Sequence, residues 1–130
     1  MTTTTGVVLS LLLATTATTK GGAPKVSPLM SKALTERPGM ELMMITVEYP
    51  PGGSDPVHRH NAHGLIYVLE GSVVMQVEGG EPVTLTPGQI FYEGPDDLHV
   101  VGRNASTLQP ARFLVFLVKH KGAPVLVPVK

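Results

Sequence analysis

Five histidines occur in 130 residues, and three of them crowd into the stretch VHRHNAHGLIYVLEG, residues 57–71. His58 and His60 are one residue apart. In an extended strand such a pair shares a face, with Cα atoms roughly 6.5–7 Å apart. Two imidazoles so placed can converge on one ion at about 2.0–2.1 Å, while Arg59 points the other way. An isolated His-x-His is commonly a surface accident. Here the pair follows the Pro/Gly loop PPGGSDP and leads into an apolar strand. His99 stands between Leu98 and Val100 and is costly to bury unless both ring nitrogens find partners. A metal shared with His58 and His60 would supply one. Under strict alternation His63 falls on the opposite face, and it reaches a metal only if a loop or bulge before Gly64 reverses it. Glu93, in FYEGP, is the candidate catalytic group. It either orients a histidine or acts as a general base, against the plainer reading of a strand-end carboxylate facing solvent. Tyr92 and Gln76 are pocket candidates, and Met40, Met43, Met44 and Met75 are pocket or core. Asp96 and Asp97 read as turn formers, with Arg103 and Arg112 as partners, and His120 as solvated.

Strands must carry these side chains. From Glu41 the sequence runs ELMMITVEY, LIYVLEG, SVVMQVEGG, VTLTPGQIFYEGP (two short strands), LHVVGRN, ARFLVFLVK and PVLVPV. Turn residues separate the segments, with a tight hairpin expected at Glu70-Gly71-Ser72. About eight short strands with turns every eight to twelve residues predict an antiparallel sandwich or barrel. The prolines of PVLVPV suit an edge strand. Residues 18–40 read as a linker with one short turn of helix. The division is therefore a leader or tail over 1–25 and a single domain over 26–130. Gly6 to Ala14, GVVLSLLLA, has the length of a signal-peptide core but lacks a preceding positive charge, and it is too short to span a bilayer. The protein is expected to be periplasmic or secreted if this segment directs export, and cytoplasmic otherwise.

Ten basic residues balance ten acidic ones, and there is no cysteine. The charge balance gives no reason to expect a nucleic-acid partner. The missing cysteines exclude disulfides, thiolate ligands and thiol nucleophiles. No Gly-x-Ser-x-Gly elbow, phosphate-cradling loop or nucleotide fingerprint is present.

The two histidine regions resemble the cupin superfamily. Its first motif runs Gly, five residues, His-x-His, three or four residues, Glu, six residues, Gly. Gly52, His58, His60 and Gly71 match it. Pro87, Gly88, Pro95, His99 and Asn104 resemble the second motif, with Asn104 one residue late. The resemblance spans about residues 41–119. It implies an all-β fold, an antiparallel double-stranded β-helix (the cupin, or jelly-roll, barrel) with a divalent metal held by His58, His60 and His99. The motif's carboxylate is absent, because its position falls on Gly64. Three outcomes follow: a three-histidine site with open positions, a site completed by His63, or a degraded site. Three neutral ligands would leave the ion's charge uncompensated and favour anionic or chelating oxygen ligands. The metal would be Fe, Mn, Ni, Cu or Zn rather than Mg or Ca. The resemblance, closest in kind to quercetin-dioxygenase-like members, implies a small-molecule enzyme of dioxygenase, isomerase or decarboxylase type. The alternative is a non-enzymatic binder of a small ligand or metal. A homodimer is expected to pair through PVLVPV or ELMMITVEY.

Overall fold

The structure, a computed structural model, describes residues 21–130. The export reading of Gly6 to Ala14 lies outside the described residues. Ten strands follow one another: β1 (Lys25–Ala33), β2 (Met40–Tyr49), β3 (His58–Arg59), β4 (His63–Glu70), β5 (Val73–Val77), β6 (Val83–Leu85), β7 (Ile90–Glu93), β8 (His99–Asn104), β9 (Ala111–His120) and β10 (Val127–Pro128). All pairings are antiparallel, in two five-stranded sheets of order β1-β2-β9-β4-β7 and β10-β3-β8-β5-β6. No helix occurs among the described residues. The fold is an all-β double-stranded β-helix.

Alternation builds the interior. In β9, Ala111, Phe113, Val115, Leu117 and Lys119 point inward, and the residues between them point out. From β2 and β4, Ile45, Val47, Tyr49, Ile66 and Val68 meet them. Period-2 patterning of this kind is what a sheet with one buried face requires. Lys119 is tolerated inside because its ammonium donates to Glu41 Oε1 at 2.7 Å and to the carbonyls of Ala123 at 2.8 Å and His120 at 3.1 Å. In return, Lys119 holds the Glu41 carboxyl below its ordinary range.

Three local expectations change. Residues 25–33 are not linker or helix but the edge strand β1, paired along β2. Pro28 sits at a bulge in that pairing, where an edge strand accepts a residue without an N–H. Glu70-Gly71-Ser72 is not a hairpin, because β4 and β5 lie in different sheets. Gly71 redirects the chain with φ +68°, and a Cβ there would meet Pro110 O at 2.5 Å. The segment ELMMITVEY forms β2, an interior strand between β1 and β9, so it has no free edge for pairing with another copy. PVLVPV does reach an edge, as β10 beside β3.

Candidate metal site

His58 begins β3 and faces His99 of β8 as its direct Cα partner. His60 follows β3, and Glu93 ends β7 on the other sheet. All four side chains are buried. His58 Nε2 lies 3.1 Å from His60 Nε2 and 3.2 Å from His99 Nδ1. Glu93 Oε1 lies 2.9 Å from His60 Nε2, and its Oε2 lies 3.1 Å from His99 Nδ1. One ligand atom from each of the four side chains falls within 4.8 Å of the others.

The outer nitrogens set the chemistry. His58 Nδ1 donates to the Pro56 carbonyl at 2.7 Å, and His60 Nδ1 donates to the Val125 carbonyl. A carbonyl only accepts, so both Nδ1 atoms carry the proton and both Nε2 atoms of the neutral rings present lone pairs. Those lone pairs point at one another and at a carboxylate. Glu93 Oε1 and His99 Nε2 are buried without a hydrogen-bond partner. Acceptors converging in a buried space need a donor or a cation among them, and a proton, a water or a metal ion supplies it. The donor set, three imidazoles and one carboxylate, suits a divalent transition metal.

Protonation follows the same logic. Burial works against charge on His58 and lowers its pKa, with the charges of His60 and His99 adding to the effect. Burial also opposes charge on His60, but the Glu93 carboxylate outweighs it and raises the pKa. For Glu93 itself, burial pushes upward, while His60 and His99 pull harder and hold it at about 2. Glu93 is therefore ionised at neutral pH and faces the cluster rather than solvent.

His63 stays out of the group. It lies on the outer face of β4, where its Nδ1 meets the Tyr92 hydroxyl at 2.8 Å. Strict alternation holds at His63, so no bulge turns it inward, and Tyr92 leaves the pocket with it. Gln76 bonds the Gly80 carbonyl in a turn. Arg112 pairs with Glu70 rather than with the acidic turn. Asp97 instead accepts from the Gly94 amide at 2.6 Å. The cluster opens on a small cavity of ≈ 30 Å³. Its walls are Ile45, Val47, Ile66, Met75, Phe113 and Val115, and Tyr49 and Asp55 add a polar edge. The sequence did not mark Tyr49 or Asp55, which sit six residues apart around PPGGSDP and come together when that loop folds back over the sheet.

Residues 45–117 match the Cupin domain family, and the chain belongs to it. No curated protein matches the chain. Among solved structures, DMSP lyase DddQ from Ruegeria pomeroyi DSS-3 is 25% identical, with a TM-score of 0.59, over 68% of this chain and 43% of that one. The chain thus spans less than half the length of that enzyme. An uncharacterized conserved protein with a double-stranded β-helix domain from Klebsiella pneumoniae is 16% identical, with a TM-score of 0.65, over 84% of this chain and 86% of that one. The polyketide cyclase RemF from Streptomyces resistomycificus is 24% identical, with a TM-score of 0.59, over 81% and 75%. These last two likenesses speak for the fold alone.

Proposed function

We propose that the protein is a metal-dependent enzyme acting on a compact, oxygen-bearing small molecule. The observation that carries this reading is the convergence of two tautomer-locked Nε2 lone pairs, His99 Nδ1 and an ionised carboxylate at the floor of an apolar cavity. A divalent transition metal bound there supplies Lewis-acid polarisation of a substrate oxygen, or redox chemistry if the metal is Fe, Mn, Ni or Cu. The histidines hold it from one sheet and Glu93 from the other, so Glu93 serves as ligand rather than general base. One carboxylate also cancels part of the ion's charge, so the site has less need of a strongly anionic ligand than three histidines alone would have. The apolar walls favour a small hydrocarbon body. Tyr49 donates its hydroxyl proton to Asp55. Burial, then Asp55, pushes the phenol far above its ordinary pKa, so it acts as a fixed donor and not as a base. The lyase activity named for DddQ is consistent with chemistry of this class.

Elemental analysis of purified protein, followed by turnover assays with phenolics and diketones in air and without oxygen, tests the reading. About one transition-metal ion per chain is expected, with turnover of one substrate class. A chain that takes up no ion from Fe, Mn, Ni, Cu or Zn solutions would overturn it.

The molecule is further proposed to pair with a second copy through the outer face of the β1-β2-β9-β4-β7 sheet. Met30, Met44, Phe116, Leu65 and Tyr92 form one cross-strand row over all five strands, and Leu114, Tyr67 and Ile90 continue a second. Met30, Ile90 and Tyr92 are 68%, 65% and 53% exposed. Neither row carries a charge, and charged residues flank them on the same face, Lys32 on one side and Glu48, Arg112 and Glu70 on the other. Strand spacing makes each full row about 20 Å long.

A further inference from the structure

The cupin motif places its carboxylate at position 64, where this chain has glycine. Glu93 is the direct cross-strand partner of Gly64 in the β4–β7 ladder. Residues so paired project from the same face of the sheet with Cβ atoms about 4.5–5.5 Å apart. A carboxylate on either one therefore enters the same volume. A Cβ built on Gly64 would stand 3.4 Å from Glu93 Cγ and 3.4 Å from Leu117 Cδ2. A methyl group touches both, and anything longer must occupy the path of the Glu93 side chain. The two positions are alternative hosts for one acidic group.

From this, and resting on the metal-site reading above, we infer that Glu93 is the metal-binding carboxylate, moved one strand sideways, and that Gly64 is its required counterpart. Both Glu93 oxygens face histidine nitrogens, at 2.9 and 3.1 Å. A short turn joins Glu93 to His99. Within it the Gly94 amide donates to Asp97 Oδ2 at 2.6 Å, and the Asp97 amide donates to the Gly94 carbonyl at 3.2 Å. The segment 93–99 thus delivers two ligands, while 58–60 delivers the other two.

Calorimetric titration with Co²⁺, together with the visible spectrum of the bound ion, tests the exchange without reference to turnover. Glu93→Gln keeps the volume and removes the charge, and should weaken Co²⁺ binding by at least about tenfold and change the spectrum. Glu93→Gly should do the same, and adding Gly64→Glu to it should recover most of the lost affinity. Gly64→Glu alone should bind worse than the parent, because two carboxylates then compete for one space. If the parent binds no Co²⁺, the metal-site reading itself fails. If the parent binds and Glu93→Gln binds equally well, only the relocated carboxylate is overturned. A folded double variant that binds no better than Glu93→Gly overturns the exchange. Glu93→Gln decides the ligand role even if the double variant does not fold.

Discussion

The ring of His60 is oriented by the backbone of Val125, 65 residues away in sequence. The last residues of the chain therefore fix the tautomer of a cluster histidine near its middle. A chain ending at Gly122 keeps all four cluster residues but loses this carbonyl and the β10–β3 pairing. Its metal affinity should fall by about 10- to 100-fold, the usual cost of losing the group that orients a ligand histidine. Titration of the shortened and full chains with Zn²⁺ checks this, and equal affinities would show that the tail does not orient His60.

The metal-free protein should lose part of its stability as pH rises. The pKa of His60 is raised by Glu93, so its contribution is complete below the unfolded value of 6.5 and disappears as pH climbs through the higher folded value. Glu93 contributes above 4.5, and its share is lost as pH falls toward about 2. The destabilisation caused by Glu93→Gln in the metal-free state should thus be larger at pH 5.5 than at pH 8.5. Metal uptake should run the other way, weakening as pH falls, because a proton on His60 Nε2 competes for the same lone pair. Melting curves and metal titrations at the two pH values check both signs.

The cavity wall is also structural. Phe113 packs edge-on to Tyr49, with ring centroids 5.1 Å apart. Phe113→Ala should cost about 3–5 kcal/mol by leaving a void in the core, while Phe113→Leu should cost less. Urea unfolding checks the order of the two.

Leu65 lies in the exposed apolar row, between Phe116 and Tyr92, and points away from the interior. Leu65→Lys should leave the fold intact and convert a dimer of the parent chain to a monomer. Light scattering on the eluting species measures this, and a parent chain that is monomeric at high micromolar concentration would remove the proposed interface.

Strands with one buried face could be read from the sequence because alternation reports burial directly. ARFLVFLVK and ELMMITVEY became β9 and β2. The strand β1 gave no such signal, since KVSPLMSKA is exposed on both faces and carries a proline. The Glu70-Gly71-Ser72 turn carried the right residue types, but turn chemistry does not say whether the next strand stays in the same sheet. His58, His60 and His99 were visible as a potential set from spacing and apolar context. The part played by Glu93 was hidden because it depends on register. Only when β4 is aligned with β7 does the empty place at Gly64 appear beside the side chain that fills it. Counting the pairing of LIYVLEG against QIFYEG would have been the signal.

The four cluster residues come from both halves of the sandwich, with Glu93 on one sheet and the histidines on or beside strands of the other. The chain has no cysteine with which to staple its sheets permanently. An ion held by these side chains would act as a detachable crosslink. At a free concentration a hundred times its dissociation constant it would add about 2.7 kcal/mol to folding. Prising the sheets apart would then require the ion to leave first. The working lifetime of the folded chain, and not only its chemistry, would be set by the metal supply around it.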